Sequence, residues 1–480
     1  MLRSIFAICL AIQSFDTAKA ISLAKRDVPA VVALDVGRNH VTDPAGRDLR
    51  RKRSMTLSQT LDNEETLYYC NVTLGTPAQS LRLTLDTGSS DLWCNTANST
   101  YCTSEGDPCD SSGTYDPSSS STYEFVSSDF NITYVDGSGA TGDYVKDNLT
   151  IGGTTISSFQ FGVGFTSSSS AGVLGIGYTA DEVQVNYAEQ TPYANLPEAL
   201  VNNGVINSVA YSLWLNDLDS NTGSILFGGV DSGKYTGTLE TLPIQTIYGE
   251  YAEFLIILTE ITLSNSTTTA SYSSGSLPAA VLLDSGSSLT YLPDYIVEGL
   301  YNDLGVVYEE STEAGYIPCS MMNKDINITY TFSSPAIPVS ISELVLEDGT
   351  GLTFDDGTAA CVFGIAPAGD STPILGDTFL RSAYVVYDLT NNEISLAPTK
   401  FNSDETNVLE ITNGTAGVPG ATAVSNPVTT VATGQGVGWT VTTATKAASV
   451  SSKGAANSMA TSLPNHLALG AAGAGILLAL

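Results

Sequence analysis

The sequence predicts an all-β protein made of two related lobes, and three observations carry that prediction. Serine, threonine and glycine are abundant while long helical patterns are scarce. Leu81-Arg82-Leu83-Thr84-Leu85 alternates strictly between apolar and other residues, as a half-buried strand does. One strand-and-turn module occurs twice, each time followed by the same echo. A chain of 480 residues, 42% hydrophobic and 14% charged, can bury sizeable cores and still carry appended segments.

The repeat is the central element. The first strand runs into Asp86-Thr87-Gly88-Ser89-Ser90, and Ala280-Val281-Leu282-Leu283 runs into Asp284-Ser285-Gly286-Ser287-Ser288. Val173-Leu174-Gly175 ends 89 positions after Asp86, and Ile374-Leu375-Gly376 ends 92 after Asp284. A single short motif recurs by chance; two in the same order at nearly equal spacing mark homologous lobes, set here at 54–240 and 241–400.

The residue types suit paired-carboxylate chemistry. Each strand delivers an acid to its end, where the chain must turn sharply. Gly88 and Gly286 allow that turn and let backbone N–H groups approach the carboxylate. The hydroxyls of Ser89 and Ser287 can donate to the outer carboxylate oxygens, and Thr87 and Ser285 can tie the two loops together. Two like charges about 3 Å apart do not both ionise easily, so such a pair shares one proton and offers a general acid and a general base together. Histidine sharpens the point. His40 and His466 are the only two and lie outside both lobes, which excludes Ser-His-Asp, Cys-His and HExxH zinc chemistry. No cysteine has metal-ligand spacing to a histidine, and no metal or cofactor is implied.

The flanks read as processing signals. Arg3, the apolar run Ser4–Ile12 and Ala18-Lys19-Ala20 mark a signal peptide over 1–20, too short to span a membrane. Residues 21–53 end in Arg50-Arg51-Lys52-Arg53. That cluster could serve as a nuclear or polyanion patch, but behind a signal peptide it reads as a propeptide cut by a kexin-like protease, with maturation near Ser54. Ten of the 18 basic residues fall in these first 53 positions, leaving 8 against 45 acidic ones, under a net charge of −32. That surface excludes nucleic acid as a partner and suits either work in acid or simple solubility.

At the other end, a Ser/Thr/Ala/Gly/Val-rich stretch beginning near Asn402 predicts a mobile, O-glycosylated stalk over 401–454. Gly454-Ala455-Ala456, a polar spacer to His466 and the apolar Leu467–Leu480 match a glycosylphosphatidylinositol (GPI) attachment signal over 455–480, with Gly454 as attachment residue. As a helix that tail would span only about 21 Å, short of a bilayer core. Cys9 lies in the signal peptide. The other six, Cys70, Cys94, Cys102, Cys109, Cys319 and Cys361, predict three disulfides in an exported protein. Sequons at Asn71, Asn98, Asn131, Asn148, Asn265, Asn327 and Asn413 fit the same compartment.

Asp-Thr-Gly-Ser-Ser-Asp-Leu-Trp at 86–93 and Asp-Ser-Gly-Ser-Ser at 284–288 resemble the two active-site signatures of pepsin-like aspartic proteases, with the resemblance running from about Leu67 to Pro398. The shared-proton mechanism above is that family's known chemistry, taken over from it. The resemblance implies a bilobal acid-protease fold with a central cleft and a flap hairpin. Tyr134-Val135-Asp136-Gly137-Ser138-Gly139 is similar to the flap, with Tyr134 bonded to Trp93 and with Asp136 and Gly137 near substrate. Val135 departs from the glycine many relatives carry there. Leu174-Gly175 and Leu375-Gly376 would pack behind the catalytic loops, and Ser224–Asp231 would enter a sheet joining the lobes. The family implies Cys319–Cys361 and Cys102–Cys109 bridges, leaving Cys70 with Cys94.

The fungal yapsins look closest: anchored proteases that cleave beside Lys or Arg, a preference Asp136 at the flap tip would support. The expected protein is a monomeric endopeptidase of the cell surface, held by a GPI anchor at plasma membrane or wall and acting on polypeptides. The competing readings are a silent pepsin-like fold that binds wall polymers and a glycoside hydrolase, whose two acids stand about 5 Å or more apart.

Overall fold

Leucine-rich and β-branched runs at Tyr68–Leu74 and Gln79–Asp86 favour strands, and they pair antiparallel with Cys70 opposite Leu83. They begin the first lobe of the computed structural model, which describes residues 29–38 and 67–432 except 105, 135–137, 187–189, 221, 273–274, 311 and 348–350. Gln79–Asp86 runs parallel to Val173–Gly175, with Asp86 opposite Gly175. The order continues through Leu92–Asn95, Thr154–Ser167 and Gly139–Ile151. Gly139–Ile151 returns to Tyr68–Leu74 through Thr73–Thr150 and Leu74–Leu149, closing a barrel. Leu83, Leu85, Val145, Phe161, Val163 and Leu174 fill it. Glu124–Thr133 pairs with the outer side of Gly139–Ile151 and makes the hairpin whose turn carries Tyr134.

The second lobe repeats this plan. Leu255–Leu258 pairs with Ala279–Leu283, which runs parallel to Ile374–Leu375. Ile374–Leu375 then meets Thr290–Leu292, and that strand runs parallel to Ile365–Pro367. The neighbours and their senses match those of the first lobe, so the duplicated motif is a duplicated topology.

An antiparallel sheet joins the lobes, in the order Val32–Arg38, Thr222–Phe227, Ala210–Trp214, Ala383–Asp388, Glu393–Pro398 and Leu239–Pro243. One face sets Tyr211, Phe227, Val385 and Tyr387 into the main core. The Tyr211 and Tyr387 rings lie 4.9 Å apart, and Phe254 of the second lobe stands 4.7 Å from Tyr387. The opposite face packs Trp214, Tyr384 and Val386 into a separate cluster.

Several expectations change. The lobe boundary at 240/241 falls inside Leu239–Pro243, and within the expected propeptide Val32–Arg38 forms a strand of the joining sheet, opposite Thr222–Phe227. The predicted mobile stalk is packed over its first part. Val408–Glu410 pairs with Gly229–Asp231, and Ala421–Ala423 with Leu239–Thr241. The Ala432 N–H donates to the Pro278 carbonyl at 2.7 Å. The cause is apolar: Ile411 and Val418, hidden in a Ser/Thr-rich average, are buried against the joining sheet. The signal peptide, the basic cluster, Gly454 and the apolar tail lie outside the described residues.

Cys102–Cys109 and Cys319–Cys361 are bridged, with Cα separations of 5.2 and 5.0 Å. The third expected bridge is absent, and Cys70 and Cys94 are free thiols. Their strands are not neighbours, since Gln79–Asp86 and Val173–Gly175 stand between them in the sheet. Both thiols are packed into the apolar core, and burial pushes the Cys70 thiol up to about 12 and Cys94 higher still. Among the described residues no helix is long and apolar enough to cross a membrane, and no group of His, Cys, Asp and Glu could hold a metal.

Candidate active site

The two strand ends bring Asp86 and Asp284 together in mirrored settings. Gly88 N–H donates to Asp86 Oδ1 at 2.8 Å, and Gly286 N–H to Asp284 Oδ1 at 2.7 Å. Ser89 Oγ donates to Asp86 Oδ2 and Ser287 Oγ to Asp284 Oδ2, both at 2.6 Å. The outer oxygens are thereby held by hydroxyls, and the inner ones face the opposite loop. A Cβ built on Gly88 would lie 2.6 Å from Asp284 Oδ1, and one on Gly286 would strike the Asp86 carboxylate. Any side chain at either glycine would collide with the acid of the other lobe.

Thr87 and Ser285 lock the loops. Thr87 Oγ1 donates to the Leu283 carbonyl at 3.0 Å and accepts from Ser285 N–H at 2.9 Å. Ser285 Oγ donates to the Leu85 carbonyl at 3.0 Å and accepts from Thr87 N–H at 3.2 Å. All four bonds cross between lobes and all are buried, so two distant segments share one rigid centre. Behind each loop stands its echo. Ile176 N–H donates to the Asp86 carbonyl at 3.0 Å, and Asp284 N–H to the Leu375 carbonyl at 3.2 Å. A Cβ on Gly175 would come within 2.7 Å of the Ser90 and Asp91 backbone, which leaves room there for glycine alone.

Trp93 is fully buried, and its Nε1–H donates to the Tyr134 hydroxyl at 2.7 Å. The hairpin turn closes through Tyr134 N–H to the Ser138 carbonyl at 2.8 Å. Asp136 and Gly137 fall between them, outside the described residues. Of the sequon asparagines, Asn71, Asn98, Asn131, Asn265 and Asn413 are exposed and Asn148 and Asn327 half-exposed.

Sequence reasoning passed over a group of acids around the pair. Asp91, quoted in the first motif without a role, is buried. Its Oδ1 accepts from the Tyr144 and Tyr193 hydroxyls at 2.8 and 2.9 Å, its Oδ2 from Val183 N–H at 2.9 Å. Burial raises its proton affinity against those donors. Asp181 is 1% exposed and pushed well above the carboxylate range by burial and then by Glu253. Glu182 is pushed up to about 10, chiefly by burial. Glu253, half-buried at the start of the second lobe, is pushed up to about 7 by burial and then by Asp284. The signal for Glu253 was a register: Leu255 lies opposite Leu282 and Leu283 N–H donates to the Phe254 carbonyl, which brings the end of that segment next to Asp284.

Two buried carboxyls from different lobes, each with its outer oxygen fixed and its inner oxygen against the glycine of the opposite loop, can exchange protons with a small molecule placed between them. Comparison with known proteins points the same way. Residues 67–399 match the family model described as eukaryotic aspartyl protease. A probable aspartic-type endopeptidase opsB of Aspergillus oryzae is 62% identical, over 98% of both chains. Aspartic proteinase yapsin-3 of Saccharomyces cerevisiae is 37% identical over 72% of this chain and 69% of its own. Secreted aspartic protease 8 of Candida albicans is likewise 37% identical, over 72% of this chain and 80% of its own.

Proposed function

From the premise that this chain belongs to the pepsin-like aspartic protease family and is an aspartic endopeptidase, we propose that Asp86 and Asp284 are its catalytic pair. One carboxylate takes a proton from a water held between the inner oxygens. The other, protonated, gives its proton to the carbonyl oxygen of the peptide bond as the water adds. The tetrahedral intermediate then collapses, with a proton passing to the leaving nitrogen. The observation that carries this reading is that both inner oxygens lie against one glycine: a Cβ on Gly286 would stand 2.4 Å from Asp86 Oδ1 and 3.0 Å from Asp284 Oδ1. The flap, with Tyr134 seated on Trp93, would cover substrate, and Asp136 with Gly137 would touch it.

The likeness to yapsin-3 and to a secreted aspartic protease supports export and a place at the cell surface. Two disulfides and seven accessible sequons fit that compartment. A signal peptide over 1–20, a propeptide ending at Arg53 and a lipid anchor at Gly454 complete the reading. The preference is for sites next to Lys or Arg, favoured by the acidic balance of the mature chain. The test is hydrolysis of a denatured protein at about pH 4.5. Asp86→Asn and Asp284→Asn should each lose at least about 10³-fold in kcat, and a statine-containing peptide should block the parent enzyme. Substantial activity in either variant would remove the proposed mechanism.

A further inference from the structure

We propose that Glu253 is a specificity-determining residue: on the Asp284 side of the cleft it recognises a Lys or Arg of the substrate, within a few residues of the cleaved bond, by supplying the anionic half of an ion pair. This rests on the reading of Asp86 and Asp284 as the reacting pair.

Position comes first. The antiparallel register of Leu255–Leu258 with Ala279–Leu283 continues through the Leu283 to Phe254 bond of 3.2 Å and ends in a bend, where Leu255 N–H donates to the Glu253 carbonyl at 3.0 Å, so Glu253 lies at the strand end beside the one that carries Asp284. Its carboxyl is near enough to Asp284 to be raised by that charge, and near enough to Asp181 of the other lobe to raise that acid in turn. The other lobe closes over it. The Tyr178 ring stacks on Tyr251 at 6.3 Å and packs on Phe254 at 5.3 Å, bracketing Glu253 in sequence. Asp181 N–H bonds to the Tyr178 carbonyl at 2.9 Å, so the Asp181 turn belongs to the same junction.

Charge comes second. The titratable groups facing Glu253 are Asp284 from its neighbouring strand and Asp181 and Tyr178 from the opposite lobe, with Tyr251 beside it on its own segment. None is a cation. Among the described residues Glu253 has no ion-pair or hydrogen-bond partner for its side chain. Glu343 shows how the same protein satisfies a glutamate that serves structure, burying it against the Arg381 guanidinium at 2.7 Å. A carboxyl left half-buried in the cleft with no counter-charge holds its proton up to about pH 7, and an arriving ammonium or guanidinium would supply what is missing.

A pH signature follows. Below about pH 7 the free carboxyl is protonated, so binding a cation must displace that proton, and the advantage of lysine over an uncharged side chain of similar length grows as pH rises from 4 toward 7. The experiment uses peptide pairs differing only by Lys or norleucine, at each of three positions on either side of the cleaved bond, with the purified enzyme. At one position the Lys/norleucine ratio of kcat/KM should reach about tenfold near pH 6 and shrink toward pH 4, and Glu253→Gln should bring it close to one. A ratio unchanged in Glu253→Gln, or a parent ratio near one at every position, or one that does not rise with pH, overturns the proposal. The pH series on the parent enzyme decides the matter even if the variant folds poorly. Activity surviving in Asp86→Asn would instead strike the catalytic reading and leave the Lys/norleucine comparison standing.

Discussion

The two lobes carry the same loop on the same strands and differ in what faces it. Just before the strand that neighbours each acid's strand stands Leu67 in the first lobe and, in a bend, Glu253 in the second. Five positions past each acid come Asp91 and Leu289, and seven past come Trp93 and Tyr291. The first lobe buries Asp91, Asp181 and Glu182 against hydroxyls, amides and backbone N–H groups only, whereas the second buries Glu343 against Arg381. Symmetry persists where two carboxyls must match across the junction and lapses one shell out, where each lobe solves burial in its own way. The two solutions differ in their response to pH: an acid neutralised by its own proton becomes costly as pH rises, and one neutralised by a guanidinium does not.

Removing the guanidinium should have the largest effect on stability. Arg381 is 1% exposed and bonds both Glu343 Oε2 and, through Nη2, the Glu343 carbonyl at 2.6 Å. Arg381→Met strands a buried carboxylate, and chemical denaturation at pH 6 should show a loss of about 3–5 kcal/mol. A loss under about 1 kcal/mol would mean that the pair contributes little and that the contrast between lobes is not electrostatic.

The first lobe supplies the matching prediction. Glu182 is fully buried, its Oε2 accepts from Tyr193 N–H at 2.8 Å, and its Oε1 has no hydrogen-bond partner among the described residues. Its proton affinity is raised in the folded state to about 10, so the folded protein holds a proton that the unfolded chain releases above about pH 4.3. Its contribution is then fully present below that pH and falls as pH rises toward the folded value. Between pH 4.5 and 7 this one group costs about 3 kcal/mol. Glu182→Gln cannot ionise, so its stability should decline less steeply over that window, by about one proton's worth of slope, while Arg381→Met, which leaves Glu343 buried without its cation, should steepen the decline. Parallel slopes for Glu182→Gln and the parent protein would show that this acid is not held neutral.

How much of this could be read from sequence depends on the range of the interactions. Asp86 and Asp284 were legible because each is announced by its own strand, glycine and serines within five residues. The cross-lobe role of Thr87 and Ser285 was legible because the two loops had to meet for the acids to meet. Glu253 was not, since its neighbour Asp284 is 31 positions away and is reached only through strand register. Cys70 and Cys94 were paired by elimination, which ignores the two strands between them. The early part of the supposed stalk was hidden because composition averages away Ile411 and Val418, two apolar residues that pack on the joining sheet. Val32–Arg38 has the alternating burial of a strand, but its partner Thr222–Phe227 lies far along the chain and is reached only through the joining sheet.

The flap gives the smallest and most local test of the asymmetry, since Trp93 with its partner has only Tyr291 as counterpart in the second lobe. The Tyr134 ring sits among Trp93, Phe130, Ile132 and Tyr144, so Tyr134→Phe keeps the packing and removes the acceptor at 2.7 Å from Trp93 Nε1. The indole N–H then stays buried without that partner, and stability should fall by about 1 kcal/mol. Trp93→Phe removes the donor but also leaves a smaller ring in a filled core, so it should be the more harmful single change. If the hydrogen bond is what joins the two side chains, the double variant should be less damaging than the sum of the singles by about 1 kcal/mol, because no unpaired donor remains. Strict additivity in that cycle, read by denaturation, would mean that the flap is held by packing alone.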